Sequence, residues 1–555
     1  MSHAMDKPAP AALASVSAAG EQTGTEPIRL TIGTKRENPV DARLFGQFLE
    51  RASFGEPGPE GALDPATGAL REDVITLAQG MRIPLVRFPG GTDVDYTDWR
   101  DLVDGAAVPG KRARELIGHT GKAIGTRFGL DEYFAFRDRI GNQTILVVNL
   151  LDALAKRLPL EVAARRAAGL VAYANARPDP RLDEDMRRWP ELRAANGHPQ
   201  PLRCEFIQLG NEWWLRPFTE AAQQALGKPS RAELTEWYRQ CLHAYIAAIR
   251  AVDRDIGIII DGDPGPLVAK ELYEDPILRQ EVAFLALHRY GPGPVDRIAR
   301  HGVDGDPGPV KPDEWWWAWV GSVGSRDASG HNLALGMAVD QARSLGYRVA
   351  CTEWNWNGYG FHRLRVPAGD HRVAAGLGAG GFLNGLMRQG DVVGMATQSL
   401  LIGTSWDIAA ILVDQAGAIS QRLPSGLVTG LYARFHGDDR LEARIDGARL
   451  VDQPLTLGFG DRGPQRITAL DAVVTADQRR LYLHLINNER DRAPLVEVDA
   501  SRVTTASGDV SLHRLVPATT GRDAMVEEQA RTSMMRGRLT LHLPPASVTV
   551  AEITR

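Results

Sequence analysis

A chain of 555 residues is too long for one ordinary hydrophobic core and points to two or more domains. Its 43% apolar and 24% charged content is that of a soluble globular protein, and no window has the uninterrupted apolar length a membrane span requires. A net charge of -5 gives no ground for expecting nucleic acid or an anionic membrane as a partner.

Residues 1–26 are rich in Ala, Ser, Pro and Gly and read as a disordered segment, with Met1–Met5 resembling a tag remnant. They lack the compact Leu/Val-rich core of a signal peptide, so a cytoplasmic location is expected, with prior removal of an export signal left open. The stretch from Pro27 to Gly33 then alternates apolar and polar residues, as a half-buried strand does. After it, eight short apolar runs recur: 44–49, 84–88, 144–149, 206–209, 256–261, 284–288, 349–352 and 392–397. Amphipathic segments lie between them, such as 160–175, 231–252, 331–345 and 371–388. The runs are nearly continuous in apolar character, as strands buried on both faces should be. Eight such alternations over 42–437 predict a parallel (β/α)8 TIM barrel with its helices outside. A doubly wound open sheet is the runner-up, but it would want a glycine-rich phosphate turn after its first strand, and Glu50–Gly55 is not one.

After the helix-like 426–436 the period changes to short alternating strands with turns between, which predicts an antiparallel β-sandwich over 438–555. The lone strand within 27–41 has no partner in a parallel barrel and is assigned to the sandwich. The three cysteines, Cys204, Cys241 and Cys351, are too few and too scattered for a disulfide framework, and no zinc-type ligand spacing occurs.

In a parallel barrel the residues just past each strand's C-terminus share one mouth. Here they are Glu50, Arg87, Asn149, Asn211 with Glu212, Asp261, His288 with Tyr290, Glu353 and Gln398. This polar set suits a polyol and binds phosphate poorly. Two apolar runs end alike, in Gly210-Asn211-Glu212-Trp213-Trp214 and in Thr352-Glu353-Trp354-Asn355-Trp356. Two carboxylates so presented are the minimum equipment for glycoside hydrolysis. Each Glu alone also reads as a helix cap or the partner of a nearby Arg; the pair favours chemistry.

The chain resembles the clan A retaining glycosidases, and most of all the α-L-arabinofuranosidases of glycoside hydrolase family 51. The resemblance runs from about residue 27 to the end. It rests on Phe45–Glu50, on Arg87-Phe88-Pro89-Gly90-Gly91 with Tyr96 and Trp99, on Gly210-Asn211-Glu212, on His288-Arg289-Tyr290, on Thr352–Asn355, and on Leu543–Thr549. It implies Glu212 as general acid/base and Glu353 as nucleophile, with carboxyl groups about 5–5.5 Å apart. Hydrogen bonds from Tyr290 and Arg87 would keep Glu353 ionised, and desolvation by Trp213 or Trp214 would help Glu212 hold a proton. Asn211 would bind the hydroxyl beside the reacting carbon, and Glu50 and Gln398 the non-reducing sugar. Arg87 has a plainer role available, neutralising a buried carboxylate, and His288 that of a satisfied core histidine.

A carbohydrate substrate is therefore expected, no metal and no cofactor, and a homo-oligomer. The implied reaction releases terminal arabinofuranose from plant-type oligosaccharides. Another clan A specificity (endo-glucanase, xylosidase, a different furanosidase), a non-catalytic carbohydrate-binding barrel and a metal-dependent enzyme using Asp261, His288 and Glu353 are the alternatives. The sequence departs from the family where Thr92, with Asp93 and Asp95 after it, replaces its Asn, and where Arg51 replaces its His. The tryptophans of Glu314–Trp319 read either as a hydrophobic plug or as a platform for a sugar face.

Overall fold

The computed structural model describes residues 27–555 apart from 52, 54, 55, 57, 108, 114, 214, 215, 263–268, 292–296, 300–307, 310, 311, 322–335, 357–369, 405–407, 415–419, 454, 457–464 and 520–523. Expectations for residues 1–26, for Trp214 and for the start of the 331–345 helix fall outside the described residues.

The chain opens with β1 (Ile28–Pro39) and then enters a closed barrel. Its eight parallel strands are β2 (Gly46–Phe48), β3 (Leu85–Phe88), β4 (Gln143–Val148), β5 (Phe206–Leu209), β6 (Gly257–Asp261), β7 (Val282–Gly291), β8 (Val349–Trp356) and β9 (Val393–Ser399), in sequence order round the ring. They are the eight apolar runs of the sequence. The ladder is continuous from β2 to β9, and β9 closes on β2 through Thr397 opposite Gly46 and Ser399 opposite Phe48. A closed ring leaves no strand edge without a partner.

Helices follow the strands and cover the ring: α1 (Glu72–Met81), α2 (Leu130–Ile140), α3 (Leu160–Asn175), α4 (Arg231–Arg250), α5 (Pro276–Glu281), α6 (Gly336–Leu345), α7 (Asp370–Arg388) and α8 (Pro424–Arg434). Their starts are legible in places. Ser230 and Glu233 form a capping box at α4, each side chain meeting the other residue's backbone N–H.

Inside the ring a separate apolar layer is built from Leu85, Ile145, Phe206, Ile259, Phe284, Ala286, Ala350 and Met395, drawn from seven of the eight strands. β2 has Gly46 at this level. A Cβ there would lie 2.6 Å from the Ala396 carbonyl, so close passage of β2 between its neighbours requires glycine. This layer plugs the barrel floor and leaves the next inward positions, towards the strand C-termini, for polar side chains.

Beyond the barrel come β10 (Asp439–Asp446), β11 (Leu470–Ala476), β12 (Arg480–Asn487), β13 (Leu495–Asp499), β14 (Gly508–Pro517), β15 (Met525–Met534), β16 (Arg538–His542) and β17 (Ser547–Thr554). With β1 they form one nine-stranded sheet in the order β15-β14-β17-β12-β11-β10-β1-β13-β16. β1 runs antiparallel to β10 and parallel to β13, the latter with Leu30 opposite Val498. The two strands at the ends of this order, β15 and β16, are consecutive in the chain and joined by a tight turn. The sheet therefore closes over its own core, where Leu30, Ile32, Leu483, Val496, Leu541 and Ile553 pack.

The tryptophans divide the two parts of the molecule. The helix Pro312–Gly321 packs on α7, with Trp315, Trp316 and Trp319 almost fully buried. Trp316 Nε1 donates to the Asn488 carbonyl of the sheet at 2.8 Å, and the Arg449 guanidinium covers Trp317 at 5.1 Å. Of the two readings of this cluster, the plug is the one the packing realises. Further ties cross the same seam, where Asn384 of α7 donates to Asp471 and Tyr432 of α8 packs edge-on to His484.

Candidate active site

Side chains at every second strand position enter the barrel. On β3, Leu85 belongs to the floor layer, so Arg87 follows it into the mouth. There its fork is fully used. Nε donates to Gln208 Oε1 at 3.0 Å, Nη1 to Glu353 Oε1 at 2.7 Å and Nη2 to Asn211 Oδ1 at 2.6 Å. Its planar face lies 4.4 Å from the centre of the Phe48 ring. A guanidinium with no exposed surface is stable only when paired and hydrogen-bonded in this way.

Strict alternation on β8 would send Ala350 and Thr352 inward and Glu353 out. The strand does otherwise. Ala350 pairs with Ala286 and Glu353 with His288, so three steps on β8 span two on β7; the same excess occurs against β9. This β-bulge lets Thr352 and Glu353 both face the mouth and turns Trp354 outward, where it stacks on Phe382 of α7 at 4.8 Å. Glu353 then receives Arg87 on Oε1 and the Tyr290 hydroxyl on Oε2 at 2.9 Å.

Glu212 arrives by a different device. β5 ends at Leu209, and Gly210 and Glu212 both take positive φ, 76° and 44°. At Gly210 a Cβ would lie 2.9 Å from the Leu150 side chain, so only glycine fits. Glu212 bears the left-handed conformation at a cost of about 1 kcal/mol, a strain characteristic of functional sites. Its Oε1 lies 2.7 Å from His288 Nδ1, which is also 3.7 Å from Glu353 Oε1. The His288 Nε2 faces Thr352 Oγ1 at 2.9 Å. One ligand-type atom each of Glu212, His288 and Glu353 lies within 4.8 Å of the others, so both carboxylates open on one mouth.

Glu50, at the end of β2, closes the group. A Cβ on Gly91 would come within 2.8 Å of both Glu50 Oε1 and Glu353 Oε1, so the Pro89-Gly90-Gly91 turn lets two carboxyls converge. Burial first, and then the Glu353 charge, push the Glu50 carboxyl well above the ordinary range. Glu353 goes the other way. Burial opposes its charge, but His288 and Arg87 together outweigh burial and hold it below the ordinary value. For His288 burial opposes the charged ring, and the Glu353 and Glu212 charges raise it regardless. The two carboxyls are thus pushed in opposite directions, Glu50 towards its neutral form and Glu353 towards its charged form, with Arg87 and His288 against the latter.

Arg87, Asn211, Glu212, His288, Tyr290, Glu353 and Glu50 thus meet at one mouth. His288 is buried against both carboxylates, with each ring nitrogen partnered. Asn211 Nδ2 is buried and finds no acceptor among the described residues. Gln398 is a correction. On β9, Met395 belongs to the floor layer, so 397 and 399 face inward and 398 faces the helices. There Gln398 Oε1 accepts from Thr429 of α8 at 2.8 Å and from Gln47 at 3.0 Å. The β9 residue in the mouth is Ser399, whose Oγ lies 2.8 Å from the Tyr290 hydroxyl. Asn149 braces the loops, donating to the Thr97 carbonyl. Asp261 is fully buried at the end of β6, its carboxyl pushed up to about 8 by burial. Trp213 is buried against Tyr238 in the core.

Strand-end reading missed Gln208, Thr352, Ser399 and Asp95. Inward alternation on β5 and β9 would have found Gln208 and Ser399. A divalent cation could be held by Glu212, His288 and Glu353, but it would stand against Arg87, which already occupies Glu353 Oε1.

Among known proteins, the family model described as "Alpha-L-arabinofuranosidase 1 domain" matches residues 77–288, from α1 to the end of the β7 core. An intracellular exo-α-(1→5)-L-arabinofuranosidase of Streptomyces lividans is 24% identical over 535 residues, covering 92% of this chain and 72% of that protein. An exo-α-(1→6)-L-arabinofuranosidase of Bifidobacterium longum is 27% identical over 264 residues, 45% of this chain and 44% of that one. The solved structure of a family 51 α-L-arabinofuranosidase from Bifidobacterium longum shares the fold, with a TM-score of 0.70, 18% identity, and coverage of 95% of this chain and 100% of that one. Barrel, paired carboxylates and relatives define a glycoside hydrolase. The chain is similar to α-L-arabinofuranosidases over most of its length and shares the fold of the solved family 51 enzyme.

Proposed function

We propose that the chain is a retaining, exo-acting glycosidase that releases terminal α-L-arabinofuranosyl residues from plant-type oligo- or polysaccharides, with Glu353 as nucleophile and Glu212 as general acid/base. The observation that carries this reading is the approach of the two carboxylates to within 4.8 Å, each with its own set of partners. Retaining enzymes hold the two groups about 5–5.5 Å apart; inverting enzymes need room for a water between them. Glu353, held as an anion by Arg87 and Tyr290, attacks the anomeric carbon while Glu212 protonates the leaving oxygen. Glu212 then removes a proton from the water that frees the sugar. Asn211 Nδ2, which finds no acceptor among the described residues, suits the hydroxyl beside the reacting carbon, and Glu50, whose carboxyl burial pushes towards its neutral form, suits a second hydroxyl. The glycon rests on what the relatives are named for, as does an intracellular setting.

A panel of nitrophenyl glycosides tests the substrate. The α-L-arabinofuranoside should be cleaved with a kcat/KM at least about tenfold above the β-D-xylopyranoside and β-D-glucopyranoside. Preference for either pyranoside would refute the furanosidase reading and favour another clan A specificity.

Tyr290→Phe tests the anionic nucleophile. The Tyr290 hydrogen bond favours the charged form of Glu353, so its loss raises that pKa. Activity needs the carboxylate and is lost as pH falls through the Glu353 pKa. The acid limb of the kcat/KM profile should therefore move to higher pH, and kcat/KM at the optimum should fall roughly 10- to 100-fold, the worth of a hydrogen bond to a charged group. An unmoved acid limb would detach Tyr290 from the nucleophile's ionisation.

A further inference from the structure

The turn after β3, Thr92–Tyr96, holds Thr92, Asp93 and Asp95, where the sequence departs from the family 51 pattern, and has no part in the reaction proposed above. It contains Asp95, a carboxylate with no exposed surface. Its Oδ2 accepts the Asn211 N–H at 2.9 Å, and its Oδ1 accepts the Leu150 N–H at 2.8 Å and the Leu151 N–H at 3.1 Å. One side chain thus ties the loops after β3, β4 and β5. The third tie is the consequential one, because Asn211 lies between the two residues of positive φ, Gly210 and Glu212. That turn aims the Glu212 carboxyl at the mouth, and its midpoint is fixed by a buried anion. The opposite end of the same Asp95 turn begins at Gly91, against Glu353 and Glu50.

We propose that Asp95 is a positioning residue that sets the Glu212 carboxyl for proton transfer by holding the Asn211 backbone. This rests on the assignment of Glu212 as acid/base. Three N–H groups converge on two carboxylate oxygens, and an amide in their place keeps one acceptor while setting an NH2 against the remaining donors. In Asp95→Asn the 210–212 turn should relax and the acid should lose its aim, while Glu353 keeps its own ties to Arg87 and Tyr290.

The experiment reads the leaving group. Wild type, Asp95→Asn, Asp95→Ala and Glu212→Ala are assayed on dinitrophenyl, nitrophenyl and methyl glycosides of whichever sugar the wild type cleaves best, with melting temperatures recorded. Dinitrophenolate leaves with little protonation, so Asp95→Asn should lose less than about threefold in release of it. On the methyl glycoside it should lose roughly 10- to 100-fold in kcat/KM, with KM little changed. A merely structural tie predicts lower melting with equal losses on all three substrates. Equal losses, or none, overturn the proposal. If Asp95→Ala fails to fold, the near-isosteric Asp95→Asn carries the comparison, and unfolding of both under assay conditions assigns Asp95 to the fold and overturns it too. Glu212→Ala keeps the two readings apart. If it shows no leaving-group dependence, the acid/base assignment fails; if it does and Asp95→Asn does not, only the role of Asp95 fails.

Discussion

Glu353→Ala is expected to stop turnover of every glycoside, activated or not, by on the order of 10^4-fold or more, which corresponds to about 5.5 kcal/mol of transition-state stabilisation. Without the carboxylate no covalent glycosyl intermediate forms, and a better leaving group does not help. The substitution also strands Arg87, whose Nη1 loses its anion inside the barrel, and breaking one side of a buried pair costs about 3–5 kcal/mol. Glu353→Gln retains a hydrogen-bond acceptor for that nitrogen, so a folded, inactive Glu353→Gln separates lost chemistry from lost stability. Azide added to Glu353→Ala can attack only from the face the nucleophile left, and any product should be of inverted configuration. Residual activity of more than a few per cent in both variants would remove Glu353 from the nucleophile role.

Glu212→Ala should behave differently. With nitrophenol as leaving group the first step needs little protonation and still proceeds. The second step lacks its base. A burst of nitrophenol should precede a steady rate about 10^2- to 10^4-fold below wild type, and unactivated glycosides should show no burst. Azide, which needs no base, should restore turnover and give a glycosyl azide of retained configuration. His288, left without its Glu212 contact, keeps Thr352 and the Glu353 charge. Rescue with inversion would exchange the two assignments, and wild-type rates in both single variants would place the site elsewhere.

The barrel was legible because strands buried on both faces read as unbroken apolar runs, and all eight are strands of the closed ring. Both glutamates were legible because each follows such a run. What the sequence did not disclose depends on which way a side chain faces. Gln398 follows an apolar run too, but the floor residue Met395 fixes the phase of β9 and sends it towards Thr429. Glu353 reaches the mouth only through the bulge, and no residue of Val349–Trp356 advertises one, since the register shift is a property of three strands together. Asp95 had no periodic signal at all. Its significance lies in backbone N–H groups 55, 56 and 116 residues away in the chain. The tryptophan helix was legible as apolar and aromatic, but its choice between packing and display waited on the sheet that covers it.

The position of β1 also bears on how the chain is made. Its partners on both sides, β10 and β13, lie far downstream. At about 5–20 residues per second on the ribosome, the roughly 400 residues between β1 and β10 take on the order of 20–80 s to appear. Throughout that interval β1 is a made strand without a mate, while the barrel strands that follow it are still being made. An unmated strand is a template for other chains. The Lys35-Arg36-Glu37 run and the Pro39 terminus of β1 are the kind of charged and proline residues that blunt such an edge. Neutralising Lys35 and Arg36 should therefore matter more to the yield of nascent protein than to the stability of the finished one.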